Sequence, residues 1–214
     1  VIKTDGRYAM YYRAIAHPDA LSPSPIGQSS IGRATSIDGI HWEDREQVLL
    51  PEETWDAYGC EDPRATIFEG TTYLTYTALG GYPYSKDNIR VGIAIARDGK
   101  NFTERHLVTP FNAKAFVIFP ERVNGKVAAL LTVHTDDPPA EIALVLADTI
   151  EEFWSTDFWA SWYEHWKDFA LNLKRDAQDH VEVGATPVRT ADGWLFFYSY
   201  IINSKSSFFC CRKK

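Results

Sequence analysis

Along this chain, short runs dense in Tyr, Val, Ile, Ala, Thr and Phe follow polar turns that end in glycine. Runs of that length and β-branched, aromatic composition, bounded by Gly, Asn and Asp, predict strands. The arrangement recurs four times: Asp5-Gly6 before 7–14, Glu69-Gly70 before 71–79, Asn124-Gly125 before 126–134, and Asp192-Gly193 before 194–200. Successive turn glycines stand 64, 55 and 68 residues apart. A second strand follows the first three, at 30–36, 90–97 and 142–147. Two of these run into Asp38-Gly39 and Asp98-Gly99, a strong antiparallel-turn signal. The third has Asp148-Thr149 in that place, and each leads on toward an aromatic: Trp42, Phe102, or Phe153-Trp154. In three copies a further strand precedes the turn glycine, at 64–69, 116–123 and 185–190.

Strand, turn, strand, loop, strand, Asp-Gly turn, strand describes a four-stranded antiparallel sheet, repeated. Repeated four-stranded sheets are the units of a β-propeller. The period exceeds the about 40–50 residues of common propeller repeats, and long loops at 17–28 and 80–88 account for the excess. A sandwich is the structural alternative, but it gives no reason for so regular a repeat. The expected fold is all-β: a partial propeller domain over 1–202, with units at about 1–54, 55–110, 111–155 and 181–202. The first unit lacks a strand before Asp5-Gly6 and the fourth stops near residue 202, so three units and a fraction are expected to leave the ring open. Residues 203–214 form an atypical tail with no place in the repeat.

One segment breaks the β pattern. Trp159, Trp162, Tyr163, Trp166, Phe169, Ala170 and Leu173 fall at helical spacing, which predicts an amphipathic helix inserted at 156–179. Its aromatic stripe is expected to pack against the sheets; a sugar-stacking platform is the alternative.

Composition then narrows the function. A hydrophobic content of 45% with 24% charged residues makes the 214-residue chain globular. Aromatics at 14% suit an all-β core or a sugar-stacking surface. The net charge of −7 argues against a nucleic-acid partner while leaving room for a local basic pocket that takes a small anion. No apolar run approaches the length of a membrane span, so no membrane partner is expected. Three cysteines, Cys60, Cys210 and Cys211, build no disulfide framework, which fits a reducing, cytoplasmic compartment. The chain opens Val-Ile-Lys without Met or a signal pattern, so secretion stays open. The six histidines show no paired metal spacing, and Asp136-Asp137 beside Pro138-Pro139 reads as a loop turn; no metal site and no cofactor are expected.

Candidate chemistry concentrates in Tyr58-Gly59-Cys60-Glu61-Asp62-Pro63-Arg64-Ala65-Thr66. Two adjacent carboxylates sit against a proline and an arginine, directly before a strand. Proline biases Asp62 toward extended backbone, and Arg64 is positioned to pair with a neighbouring carboxylate and set its orientation. A strand-entry turn with a structural ion pair is the bland alternative. Aligning the repeats places Lys114 before the inner strand of the third unit and Glu182 before that of the fourth, at the position Asp62 holds in the second. Arg13 is a cation on a β-face expected to be buried and therefore needs a partner; Glu61, Asp62 or a substrate anion would serve.

Tyr-Arg-Ala at 12–14, Ser-Ile-Gly-Arg-Ala-Thr-Ser-Ile-Asp-Gly-Ile-His-Trp at 30–42 and Gly-Cys-Glu-Asp-Pro-Arg at 59–64 resemble glycoside hydrolase family 130. So do Thr-Tyr-Thr-Ala, Lys-Ala-Phe-Val-Ile-Phe-Pro-Glu and Gly-Trp-Leu-Phe-Phe-Tyr, in that order, from about Gly6 to Tyr200. The resemblance implies a five-bladed propeller acting on β-mannoside oligosaccharides, as a phosphorylase or a mannosidase. It implies that Asp62 is the general acid, its proton passing through a mannose hydroxyl. Arg13 matches a sugar-binding position, with Glu61, Arg64 and Glu182 as further substrate-binding candidates. Lys114 matches a phosphate-binding cation and Arg90 a weaker one of the same kind. The chain departs from the family at Tyr198-Ser199-Tyr200, where many members carry Tyr-His-Gly.

Three readings remain open on sequence. Inverting phosphorolysis needs one acid and an anion cradle, with inorganic phosphate as co-substrate and nucleophile; Lys114 and Arg90 favour it. Inverting hydrolysis needs a second carboxylate about 6.5–9.5 Å from the acid to activate water; Glu182 or Glu121 and the missing histidine favour that. A non-catalytic carbohydrate-binding propeller is the third. The oligomeric state, a homo-oligomer included, is not encoded in any motif.

Overall fold

The computed structural model of the chain describes residues 1–4, 6–17, 27–135 and 139–202, together with the backbone of a strand at 208–210. Asp5, most of the loop at 17–28, Asp136-Asp137 and, beyond that strand, the rest of the 203–214 tail lie outside the described residues. The architecture is mostly β, with one short α-helix, and among the described residues the sheets do not close into a barrel.

Four sheet regions follow one another along the chain, the first two joined in one eight-stranded sheet and the last holding a three-stranded and a two-stranded sheet. The first is β1 (Ile2–Thr4), β2 (Arg7–Ile15), β3 (Ser29–Ser36) and β4 (Glu43–Leu49), paired antiparallel in that order. β1 is a strand that sequence reading did not anticipate: Ile2 pairs with Ala9 and Thr4 with Arg7 across the turn at Gly6. The second sheet repeats the meander with β5 (Gly59–Phe68), β6 (Thr71–Leu79), β7 (Ile89–Ala96) and β8 (Glu104–Leu107). A single parallel bridge, Ser29 to Gly59, joins the two sheets. Glycine suits position 59, whose φ of 154° is one that L side chains rarely adopt and where a Cβ would press on the Leu79 side chain at 3.3 Å.

The third sheet has three strands, β9 (Ala113–Ile118), β10 (Val127–Val133) and β11 (Glu141–Ala147). Its fourth strand is missing for a local reason. Where the first two sheets have Asp-Gly, Thr149 follows Asp148, and Glu152 reaches back to accept the Asp148 N–H at 2.6 Å. That contact starts a 3₁₀ turn, Ile150–Trp154, instead of a hairpin. α1 (Thr156–Glu164) follows, its Ser155 side chain accepting the Phe158 N–H. The helix is much shorter than the 156–179 expected. After a further 3₁₀ turn, Trp166–Phe169, Ala170 bridges to Ala143 and the Leu171 N–H donates to the Ile142 carbonyl, so edge pairing with β11 competes successfully with helix.

The fourth region holds β12 (His180–Val183), β13 (Val188–Thr190), β14 (Gly193–Leu195), β15 (Tyr198–Ile201) and β16 (Phe208–Cys210). The strand expected over 194–200 is split in two, with β15 on β12 and β14 on β13. β16 pairs with β15, so part of the tail joins the sheet.

Three apolar cores fill the spaces between successive sheets. Tyr11, Ile31, Leu74 and Tyr76 pack between the first and second. Ile93, Phe116, Leu131, Trp159 and Trp162 pack between the second and third, where α1 docks. Val117, Leu130, Val181 and Tyr200 pack between the third and fourth. Strands buried on both faces lose the simple in-out alternation of a half-exposed sheet, and β6, β7 and β10 are buried almost throughout. The four turn glycines all take positive φ (78°, 81°, 80° and 124°), as turns opening these strands demand.

Candidate active site

The strands bring one end of every sheet to a common place: the starts of β3, β5 and β9, the ends of β2 and β10, and β12. Gly59-Cys60-Glu61-Asp62-Pro63-Arg64 lies inside β5 and contains a bulge. Glu61 pairs with Thr77 and Arg64 with Thr75, so β5 carries one extra residue. Asp62 takes φ 48° there, in the left-handed region, instead of the extended backbone that Pro63 favours. Pairing on both sides of the bulge overrides the pre-proline bias, and Asp is among the residues that tolerate this conformation best.

The same device recurs in β9. Lys114 pairs with Thr132 and Val117 with Leu130, with Ala115 at φ 54°. Register therefore makes Lys114 the counterpart of Glu61, and Ala115 the counterpart of Asp62. Sequence alignment of the repeats was one residue out, because a bulge has no composition signal of its own.

Glu61 is the centre of the first group. It is ion-paired with Arg13, and Ser29 Oγ donates to it at 2.9 Å while accepting from Arg13 Nε at 3.0 Å. Burial pushes the Glu61 pKa up, and Arg13 and the Ser29 hydrogen bond oppose that without cancelling it. Asp62 and Lys114 also act on its charge, which places residues of two sheets in one electrostatic field. Asp62 is exposed, and no side chain among the described residues hydrogen-bonds its carboxylate.

Lys114 reaches across to the fourth region, its Nζ 3.0 Å from Glu182, which Thr135 contacts at 3.4 Å. Among the described residues Arg64 does not pair with a carboxylate. It donates from Nε to Gly184 O (2.8 Å) and through its two terminal nitrogens to Asp62 O (2.7 Å) and Val183 O (3.1 Å). Burial lowers its pKa, with Asp62 and Glu182 pulling the other way. Arg64 thus ties the bulge to β12 through carbonyls.

Arg13, Glu61, Asp62, Arg64, Lys114 and Glu182 come together from four sheets. Arg90 stands at the same end of the second sheet, on Ala78, which also pairs with Cys60; among the described residues its hydrogen bonds run to Lys86 O and Ile89 O and not to this group. Glu121 pairs with Arg189 at 3.7 Å on the exposed side of the third and fourth sheets. Among the described residues no three His, Cys, Asp or Glu side chains gather in a metal-binding group.

A second buried group supports the segment and was not legible in the sequence. Asp56 is fully buried; its carboxylate accepts the N–H groups of Glu52 and Glu53, the Tyr76 hydroxyl at 2.8 Å and Arg105 at 2.5 Å. It holds the 52–56 loop one turn before Gly59, whose N–H donates to Asp56 O. Tyr76 reaches it because its ring lies over Gly92, where a Cβ would stand 2.4 Å from the ring. Cys60 packs beside Arg105, its thiol pushed up by burial.

Comparison with known proteins gives this arrangement its family. A family model described as beta-1,4-mannooligosaccharide phosphorylase matches residues 1–208. The chain belongs to glycoside hydrolase family 130. Its relatives include a 1,2-beta-oligomannan phosphorylase and a beta-1,2-mannobiose phosphorylase of Thermoanaerobacter sp. (strain X514). These are 28% and 27% identical over 92% and 95% of this chain. The chain spans 61% and 64% of those two proteins. A solved beta-1,2-mannobiose phosphorylase from Listeria innocua, in complex with beta-1,2-mannobiose, superposes with a TM-score of 0.64 at 21% identity, over 86% of this chain and 49% of that one. A glycosyl hydrolase from Bacteroides ovatus does so with a TM-score of 0.63 at 19% identity, over 94% and 59%. At these identities the superpositions speak for the fold.

Proposed function

We propose that this family 130 chain acts on β-mannosides by inverting phosphorolysis, with Asp62 as general acid, on sheets arranged as blades of a five-bladed propeller. The observation that carries the reading is Asp62 itself: an exposed carboxylate on a bulge, amid charged residues converging from four sheets. The phosphorylase names of the curated relatives support it further.

In this reading Arg13 and Glu61 bind the mannose ring, with Ser29 fixing their mutual orientation. Arg64 sets the bulge from beneath by holding the Asp62 carbonyl. Phosphate, bound at Lys114, attacks the anomeric carbon on the face opposite the leaving sugar. The C–O bond to the leaving sugar breaks, and that oxygen receives the proton originating on Asp62, relayed by a mannose hydroxyl. The products are an α-mannosyl phosphate and a sugar one residue shorter. No cofactor takes part. Arg90 is assigned a phosphate contact only through the family resemblance.

Hydrolysis is the second reading, and Glu182 favours it, since it places another carboxylate in the same cluster. Replacing Asp62 tests what the two readings share. Asp62→Asn keeps shape and removes the transferable proton, so turnover of a β-mannoside is expected to fall by about 10²–10⁴-fold with sugar binding retained. Near-normal turnover in folded Asp62→Asn protein ends the assignment.

A further inference from the structure

Among the described residues, Arg13, Arg64 and Lys114 at the mouth of the sheets are each already committed. Arg13 is held by Glu61, and Arg64 is spent on three carbonyl oxygens. Lys114 is held by Glu182 at 3.0 Å, from a strand about seventy residues away in sequence. Of the two carboxylate pairs, the Lys114–Glu182 pair is the looser. Glu61 has a 2.9 Å hydroxyl donor besides its arginine, whereas Glu182 has only a 3.4 Å contact to Thr135. Both members of the looser pair are about a quarter exposed (26% and 24%), so an anion from solvent reaches them.

We infer that Glu182 is a carboxylate gate on Lys114, which inorganic phosphate must displace to bind, and that it sets how readily the site accepts that co-substrate. The inference rests on the phosphate-binding reading of Lys114 given above. An ammonium satisfied by a carboxylate offers little to a second anion, and the displaced carboxylate stays close enough to repel a phosphate dianion. Neutralising Glu182 removes both the competition and the repulsion while leaving the lysine in place. Glu182 is then a specificity-determining residue: ionised and paired it disfavours phosphate, and swung away it admits it.

Calorimetric titration of the chain with inorganic phosphate tests this, with Glu182→Gln, Glu182→Ala, Lys114→Ala and the Lys114→Ala/Glu182→Gln double variant, and near-ultraviolet circular dichroism to confirm folding. Glu182→Gln and Glu182→Ala are expected to tighten phosphate binding by at least about fivefold, the low end of ordinary coupling between two occupants of one site. The gain is expected to vanish in the double variant. Equal or weaker phosphate binding in both folded Glu182 variants overturns the gate, as does a gain that survives loss of Lys114. Mannoside turnover is not the readout. A chain that gains phosphate affinity on Glu182→Gln but cleaves no mannoside keeps this inference and loses the proposed function.

Discussion

Asp62 and Ala115 hold the same backbone position in consecutive sheets, yet only one carries a side chain able to donate a proton. The scaffold therefore repeats the bulge, and two positions make the copies chemically distinct: Glu61-Asp62 in one, Lys114-Ala115 in the other. Its neighbour Glu61 offers a test by pH. Burial raises the folded-state pKa of Glu61 above its ordinary value. A carboxylate shifted upward is stabilising while protonated, and that contribution is lost as pH rises from the ordinary carboxylate range through the raised pKa. Glu61→Gln fixes the neutral state. Its stability relative to the unsubstituted chain is therefore expected to improve as pH rises from the ordinary carboxylate range through the raised pKa, read from urea midpoints. The opposite slope means that the Arg13 pair outweighs burial. Glu61 and Asp62 were both legible in sequence, being two acids before Pro-Arg. Ser29 and Asp56 were not, because a serine at a strand start and an aspartate in a loop have no local mark of long-range partners.

At the scale of elements, the Asp-Gly turns at 38–39 and 98–99 behave as twins. Each aspartate Oδ1 accepts two N–H groups, from Ile40 and His41 or from Lys100 and Asn101, at 2.8–2.9 Å. Such turns are written in the sequence because they depend on adjacent residues alone. The inserted helix was legible as an element but not in its length. Its end is decided by Ala170 and Leu171 pairing with β11, a contact made in space. Its aromatic stripe packs: Trp159 is fully buried against Phe111, Phe116, Phe153 and Phe158. Its indole N–H donates to Phe153 O at 2.8 Å. Trp159→Ala is expected to cost about 3–5 kcal/mol, against less than about 1 kcal/mol for Phe169→Ala, whose residue is 38% exposed. Equal small losses in urea unfolding would place the helix outside the cooperative core.

Across the whole molecule, the candidate site is assembled by contacts that span the chain. Arg64 grips Val183 and Gly184, Thr66 donates to Ile118 O at 3.0 Å, and Thr75 donates to Phe116 O at 2.5 Å. These ties between the sheets at their converging end hold Asp62, the Arg13–Glu61 pair and the Lys114–Glu182 pair in one cluster. The repeat of glycine turns made the succession of sheets readable in advance. Convergence of the site followed from it, but the one-residue register of Lys114 and the bonding of Arg90 to its own loop required the bulges and loops themselves. The proposed activity, cleavage of β-mannosides with phosphate as nucleophile, draws on structure at all three scales. Phosphorus NMR of the chain incubated with β-1,2-mannobiose in phosphate buffer tests it most directly. The expected result is an α-mannosyl phosphate signal that grows in step with free mannose and disappears on Asp62→Asn. Mannose released with no phosphate ester formed, at a rate unchanged when phosphate is omitted, would contradict phosphorolysis.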